Sequence, residues 1–116
     1  MRLRHATLRA NLESILATGL LPAKSRCKPL TRNGVSKPTV WLHSPHKTAW
    51  GILHMFKRHQ ATLADVVIVD VNVPRAWVER TSAKGLWITT HIIPPARIVN
   101  IIDGDTYAAS PIAENC

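Results

Sequence analysis

The run ADVVIVDVNV at residues 64–73 constrains the fold more than any other stretch of the chain. It is β-branched and apolar almost throughout, the composition of a central strand. The chain has 116 residues, enough for one domain with one core. That core is expected to form on this strand.

The other elements follow from periodicity and punctuation. RLRHATL at residues 2–8 alternates Leu3, His5 and Thr7 with Arg2, Arg4 and Ala6, a period of two that predicts a strand. A helix is expected over residues 12–18, capped by Asn11, with Leu12, Ile15 and Leu16 on one face and Gly19 ending it. Residues 20–25 suit a short strand, and residues 26–38 form a polar loop with turn signals at Asn33–Gly34 and Pro38. TVWLH at residues 39–43 is a buried strand. The longest helix is expected over residues 45–61, with Pro45 in its first turn. Ala49, Ile52, Leu53 and Phe56 would face inward, and Lys47, His54, Lys57 and Arg58 would make a basic outer stripe. A helical turn at 74–80, strands at 86–93 and 97–102, and a loosely held tail complete the reading. Strands and helices do not alternate strictly, which argues for an α+β domain with a mostly antiparallel or mixed sheet. The domain is expected over residues 1–104 and the tail over 105–116.

Composition narrows the function. With 46% hydrophobic residues the chain is globular in character. No apolar run approaches the roughly 18–20 residues needed to span a bilayer, and no signal-peptide pattern opens the chain. Two cysteines, Cys27 and Cys116, suggest reduced thiols and a cytoplasmic setting. Fifteen Lys and Arg oppose seven acids, for a net charge of +8. Three of those acids lie at or beyond Asp103, so residues 1–102 hold all fifteen bases against four acids. Such an excess calls for an anionic partner, nucleic acid or a phosphate-bearing cofactor, or else serves solubility alone.

Several chemistries find no support. The spacing of His43, His46, His54 and His59 fits none of the usual zinc sites, so no metal is expected. No serine-hydrolase elbow or phosphate-binding Walker loop is present. Cys27 sits between Arg26 and Lys28, which would lower its pKa, but a surface thiol in a basic loop explains it as well. Tryptophans 41, 50, 77 and 87 belong to the core by default. Trp41 and Trp87 alternate with aliphatic residues in strands, so either suits stacking on a base.

The order of short segments is more specific than any one of them. His5-Ala6-Thr7 on the first strand is followed by Gly19-Leu20, then Val40-Trp41-Leu42. Gly85-Leu86-Trp87-Ile88-Thr89 comes last, before Pro94-Pro95. This order resembles the ADP-ribosyltransferase superfamily. It is most similar to the catalytic lobe of the RNA 2′-phosphotransferase family, whose segments read like His-Gly-Thr, Gly-Leu, Val-His-Leu-Ser and Gly-Val-Trp-Leu-Thr. The resemblance covers roughly residues 3–100.

It implies an ADP-ribosyltransferase-like fold of two small packed sheets around a central cleft. It also implies NAD as cofactor, with His5 on the nicotinamide-side ribose and the Ala6 backbone at the nicotinamide amide. Thr7 matches the family threonine, Trp41 packs beside the nicotinamide, and Ser44 takes the place of the serine after that strand. Arg26 joins the cofactor-binding set. Leu86 falls where many transferases carry a glutamate. The phosphotransferases also have an aliphatic residue there, because an RNA 2′-phosphate is already an anionic nucleophile. The expected activity is therefore transfer of ADP-ribose to a nucleic-acid phosphate, with positive charge gathering both partners. The family's extra lobe of arginines has no counterpart in these segments, so Arg2, Arg4, Arg26, Arg32 or a partner protein would substitute. Glu79 is the one glutamate near the late strand and a candidate surrogate carboxylate. Two other readings stay open: a degenerate member of the fold that binds nucleic acid or a nucleotide without turnover, and a basic partner-binding domain. His5 alone would equally suit a satisfied core histidine.

Overall fold

The computed structural model describes residues 1–23 and 38–108. The run at 64–73 becomes strand β3, Val66–Asn72, and its first six residues are all buried. Both faces of β3 are covered, which is why its apolar character does not alternate. Val69 and Val71 join a core with Leu3, Ile15, Leu20, Val40, Leu42, Trp87 and Ile93. Val66 and Ile68 join a second core with Ile52 and Met55.

β1, Arg2–Leu8, pairs antiparallel with β3 along its whole length, from Arg2 opposite Asn72 to Leu8 opposite Val66. β6, Ile98–Asp103, flanks β3 on its other side. β2, Val40–His43, pairs with β5, Leu86–Thr89, which pairs with the two-residue edge strand β4, Glu79–Arg80. All six strands form one antiparallel sheet in the order β4-β5-β2-β1-β3-β6.

The expected α+β class therefore holds, but the expected two packed sheets do not. One register pair, Arg4 opposite His43, joins β1 to β2 and makes the sheet continuous. Elsewhere along this junction the two three-stranded halves are not paired.

Helix α1, Leu12–Thr18, has the expected bounds, and Gly19 ends it with φ +86°. Asn11 does not cap it through its side chain. A 3₁₀ turn at Arg9–Asn11 leads into the helix, and the Asn11 amide donates to Thr7 Oγ1 at 3.2 Å. Only Ile15 of the expected apolar face is fully buried, and Leu16 lies exposed. The long helix splits into a 3₁₀ turn at Pro45–Lys47 and α2, Thr48–His59. Its buried side is Thr48, Gly51, Ile52 and Met55, while Leu53 is exposed.

The segment after Gly19 makes two isolated bridges rather than a strand, Leu20 with Ile93 and Ala23 with Thr39. α3, Gly104–Ala108, occupies the start of the expected tail. The remaining tail and the loop before Pro38 lie outside the described residues. No helix among the described residues is long and apolar enough to cross a membrane.

The arginines of β1 have structural tasks. Arg2 Nη2 donates to the buried Asp70 carboxylate at 2.6 Å. Arg4 Nη1 donates to Thr48 Oγ1 at 2.9 Å and ties β1 to α2. The Arg2 charge is thus engaged locally by Asp70, whereas Arg4 meets only a neutral hydroxyl.

Candidate functional site

The site forms where the sheet is least paired. His5 follows Arg4, the residue of the single β1–β2 pair, and its side chain takes over the bonding there. His5 Nδ1–H donates to the Trp41 carbonyl at 2.7 Å. The neutral ring then keeps Nε2 as an acceptor. Burial pushes the His5 pKa below the ordinary histidine value, opposed by the bond to Trp41. The ring is therefore neutral at physiological pH.

Around this junction lies a cavity of about 510 Å³, inside the range of roughly 300–1,000 Å³ usual for small-molecule sites. β1 contributes His5, Ala6 and Thr7, β2 contributes Trp41 and His43, and β5 contributes Leu86. Helix α2 closes one side with Trp50, Gly51, His54 and Met55, and the bridged segment closes another with Leu20, Leu21 and Ala23. α2 can approach this closely because residue 51 is a glycine. A Cβ there would sit 2.8 Å from His43 Cε1 and 3.3 Å from the Ala6 Cβ.

His43 was missed as a wall residue by sequence reasoning, although Trp41 and His43 are two apart on one strand and so share a face. It is 3% exposed. Its pKa falls to about 4, first from burial and then from the nearby His5 and Arg4. Its Nε2 is buried with no hydrogen-bond partner, as are Thr39 Oγ1 and Trp41 Nε1, two further wall residues. All three atoms are shielded from the cavity as well as from solvent, so they lie behind its surface rather than on it. His54 was expected on the outer stripe of α2. It instead lines the cavity and stacks on Trp50, with ring centres 5.2 Å apart and planes 16° from parallel.

Five of the residues singled out in the sequence, His5, Ala6, Thr7, Trp41 and Leu86, meet on this wall. Ser44 does not line it. Its hydroxyl accepts from the Trp87 indole N–H at 3.3 Å, and its backbone N–H bonds to the Gly85 carbonyl. Arg26 lies outside the described residues. Glu79 is exposed on the edge strand, opposite Ile88, and does not line the cavity.

Among the described residues the wall carries no Lys, Arg, Asp or Glu. It supplies aromatic faces and the neutral imidazoles of His5 and His43, which suits hydrogen bonding and stacking more than proton transfer by an ionised side chain. No group of three or more His, Cys, Asp or Glu suited to a metal ion occurs among the described residues. Comparison with protein-family models and with curated proteins gives no match.

Proposed function

We propose that the protein binds NAD in this cavity and transfers ADP-ribose to an anionic acceptor, a nucleic-acid phosphate such as an RNA 2′-phosphate. The observation that carries the reading is the convergence of His5, Ala6, Thr7, Trp41 and Leu86 on one wall. His5 and the aromatic wall suit the ribose and nicotinamide ring of the cofactor, while among the described residues no basic side chain of the wall meets its pyrophosphate. When bound, NAD supplies a ribosyl carbon activated by a nicotinamide leaving group.

The chain's own residues would act by holding and excluding. His5, neutral and fixed by the Trp41 carbonyl, accepts from a ribose hydroxyl through Nε2. The Trp41 indole packs on the nicotinamide ring, and Leu86 keeps the floor dry. Leu86 cannot act as a base, so the acceptor must carry its own negative charge into the site. A phosphate oxygen meets that requirement without losing a proton.

The test is nicotinamide release from NAD in the presence of 2′-phosphorylated RNA, compared with His5→Ala. Release that needs the RNA and falls at least about tenfold in the variant supports the reading. Absence of both NAD binding and release overturns it. A second reading, a nucleotide- or nucleic-acid-binding module without turnover, is favoured by Leu86 and by the uncharged wall. NAD binding without release would select it.

A further inference from the structure

A second arrangement of side chains lies outside the cavity, around Trp87 and Trp77. The guanidinium carbon of Arg75 sits 4.9 Å from the Trp87 ring centre, and that of Arg80 sits 5.3 Å from it. Arg97 lies 5.3 Å from the Trp77 ring centre, and His91 stacks on Trp77 at 5.3 Å with planes 13° apart. The two stacks adjoin. Arg75 and Trp77 share one 3₁₀ turn, Arg80 is the cross-strand partner of Trp87, and Trp77 packs on the core that contains Trp87.

These arginines carry unneutralised charge. The two ion pairs among the described residues are Arg2–Asp70 and Arg9–Asp103, so Arg75, Arg80 and Arg97 have no carboxylate partner there. Glu79 is the nearest acid in sequence, and strand alternation turns it to the opposite face from Arg80. Contact with the rings restrains the guanidinium groups in advance, which lowers the ordering cost of binding. Arg75 spends one N–H on the Val78 carbonyl at 2.9 Å, and a guanidinium has five N–H donors whose fork matches phosphate oxygens.

We propose that this face binds a single strand of nucleic acid through its phosphates, with the ring-held guanidinium groups as packing surfaces for bases. Arg80 and Trp87 lie on the face of the sheet opposite Thr81 and Leu86, which line the cavity, so only the edge strand β4 separates the two regions. The proposal goes beyond the functional reading, and the binding itself needs no NAD.

The test is fluorescence anisotropy of a labelled oligouridylate with the full chain, without NAD, across a salt series. R75Q/R80Q/R97Q is expected to weaken binding about tenfold or more. It should also flatten the slope of log affinity against log salt by about 2, from three lost phosphate contacts at about 0.7 each. R9Q/K57Q removes two bases from other elements and should weaken binding less than about threefold. R75K/R80K/R97K keeps the charge and guards against misfolding of the first variant. It should keep the salt slope and still lose affinity severalfold, because an ammonium has no planar fork.

Equal affinity of wild type and R75Q/R80Q/R97Q overturns the proposal, as does an equal loss in R9Q/K57Q. Loss of binding to phosphatidylserine vesicles with oligouridylate binding unchanged overturns it in favour of a membrane surface. Absent nicotinamide release with intact, arginine-dependent RNA binding refutes the transferase reading and leaves this one standing. Intact release with arginine-independent RNA binding does the reverse.

Discussion

Lowering the pH from 7 to 4.5 should remove about 2 kcal/mol of stability through His43 alone. The folded-state pKa of His43 is about 4, against 6.5 for an unperturbed histidine. The folded pKa is depressed, so the unfolded chain takes up a proton first as the pH falls. The stabilisation is complete above 6.5 and is lost as the pH falls toward 4. Each unit in that window costs about 1.4 kcal/mol, and His43 is buried enough that solvent screening removes little of it. His5 shifts in the same direction and adds to the slope. Asp65 is held below the ordinary carboxylate range by hydrogen bonds from Thr62, so its own loss falls at more acid pH. Urea unfolding followed by tryptophan fluorescence, in steps from pH 7 to 4.5, measures the effect in wild type and His43→Leu. The difference in unfolding free energy between the two should change by about 2 kcal/mol across the series. Parallel curves would refute the claim that His43 is buried neutral.

Gly51→Ala places a methyl 2.8 Å from His43 Cε1 and should cost about 1–3 kcal/mol, read as a fall in melting temperature. Gly19→Ala is more severe, because φ is +86° and the new Cβ runs into the Ile93 carbonyl oxygen. A loss of about 3 kcal/mol or more is expected in chemical denaturation, with exchange of the Leu20 and Ile93 amides speeding up. Trp87→Ala empties a buried site and frees Arg75 and Arg80, and should cost about 3–5 kcal/mol by the same measurement.

The strands β1, β2 and β3 and helix α1 were legible because each has a clear period and a clear stop. Gly19 is the sharpest case, since its left-handed conformation is where a helix-ending glycine is needed. Helix α2 was legible as an element but not in its orientation. Leu53 is as apolar as Ile52, and only the close approach of Gly51 to β1 and β2 decides which side turns inward. The same contact puts His54 at the cavity, a position that charge patterning assigned to solvent.

The site was legible in the residues of β1, β2 and β5, because their short motifs sit at fixed strand positions. The orphaned atoms of Thr39 and His43 were not, because a missing partner is a property of packing and leaves no mark in the sequence. The tasks of Arg2 and Arg4 were hidden for a related reason. Asp70 and Thr48 are 68 and 44 residues away along the chain.

The single register pair between β1 and β2 has a mechanical consequence. Few backbone bonds join the two three-stranded halves, so the His5–Trp41 bond and the shared core of Leu3, Val40, Leu42, Val69, Val71 and Trp87 hold them together. A group that wedges between β1 and β2 would have to break that bond and strain that core. Occupancy should then register at the amides of β4 and β6, the two outermost strands, far from the point of entry.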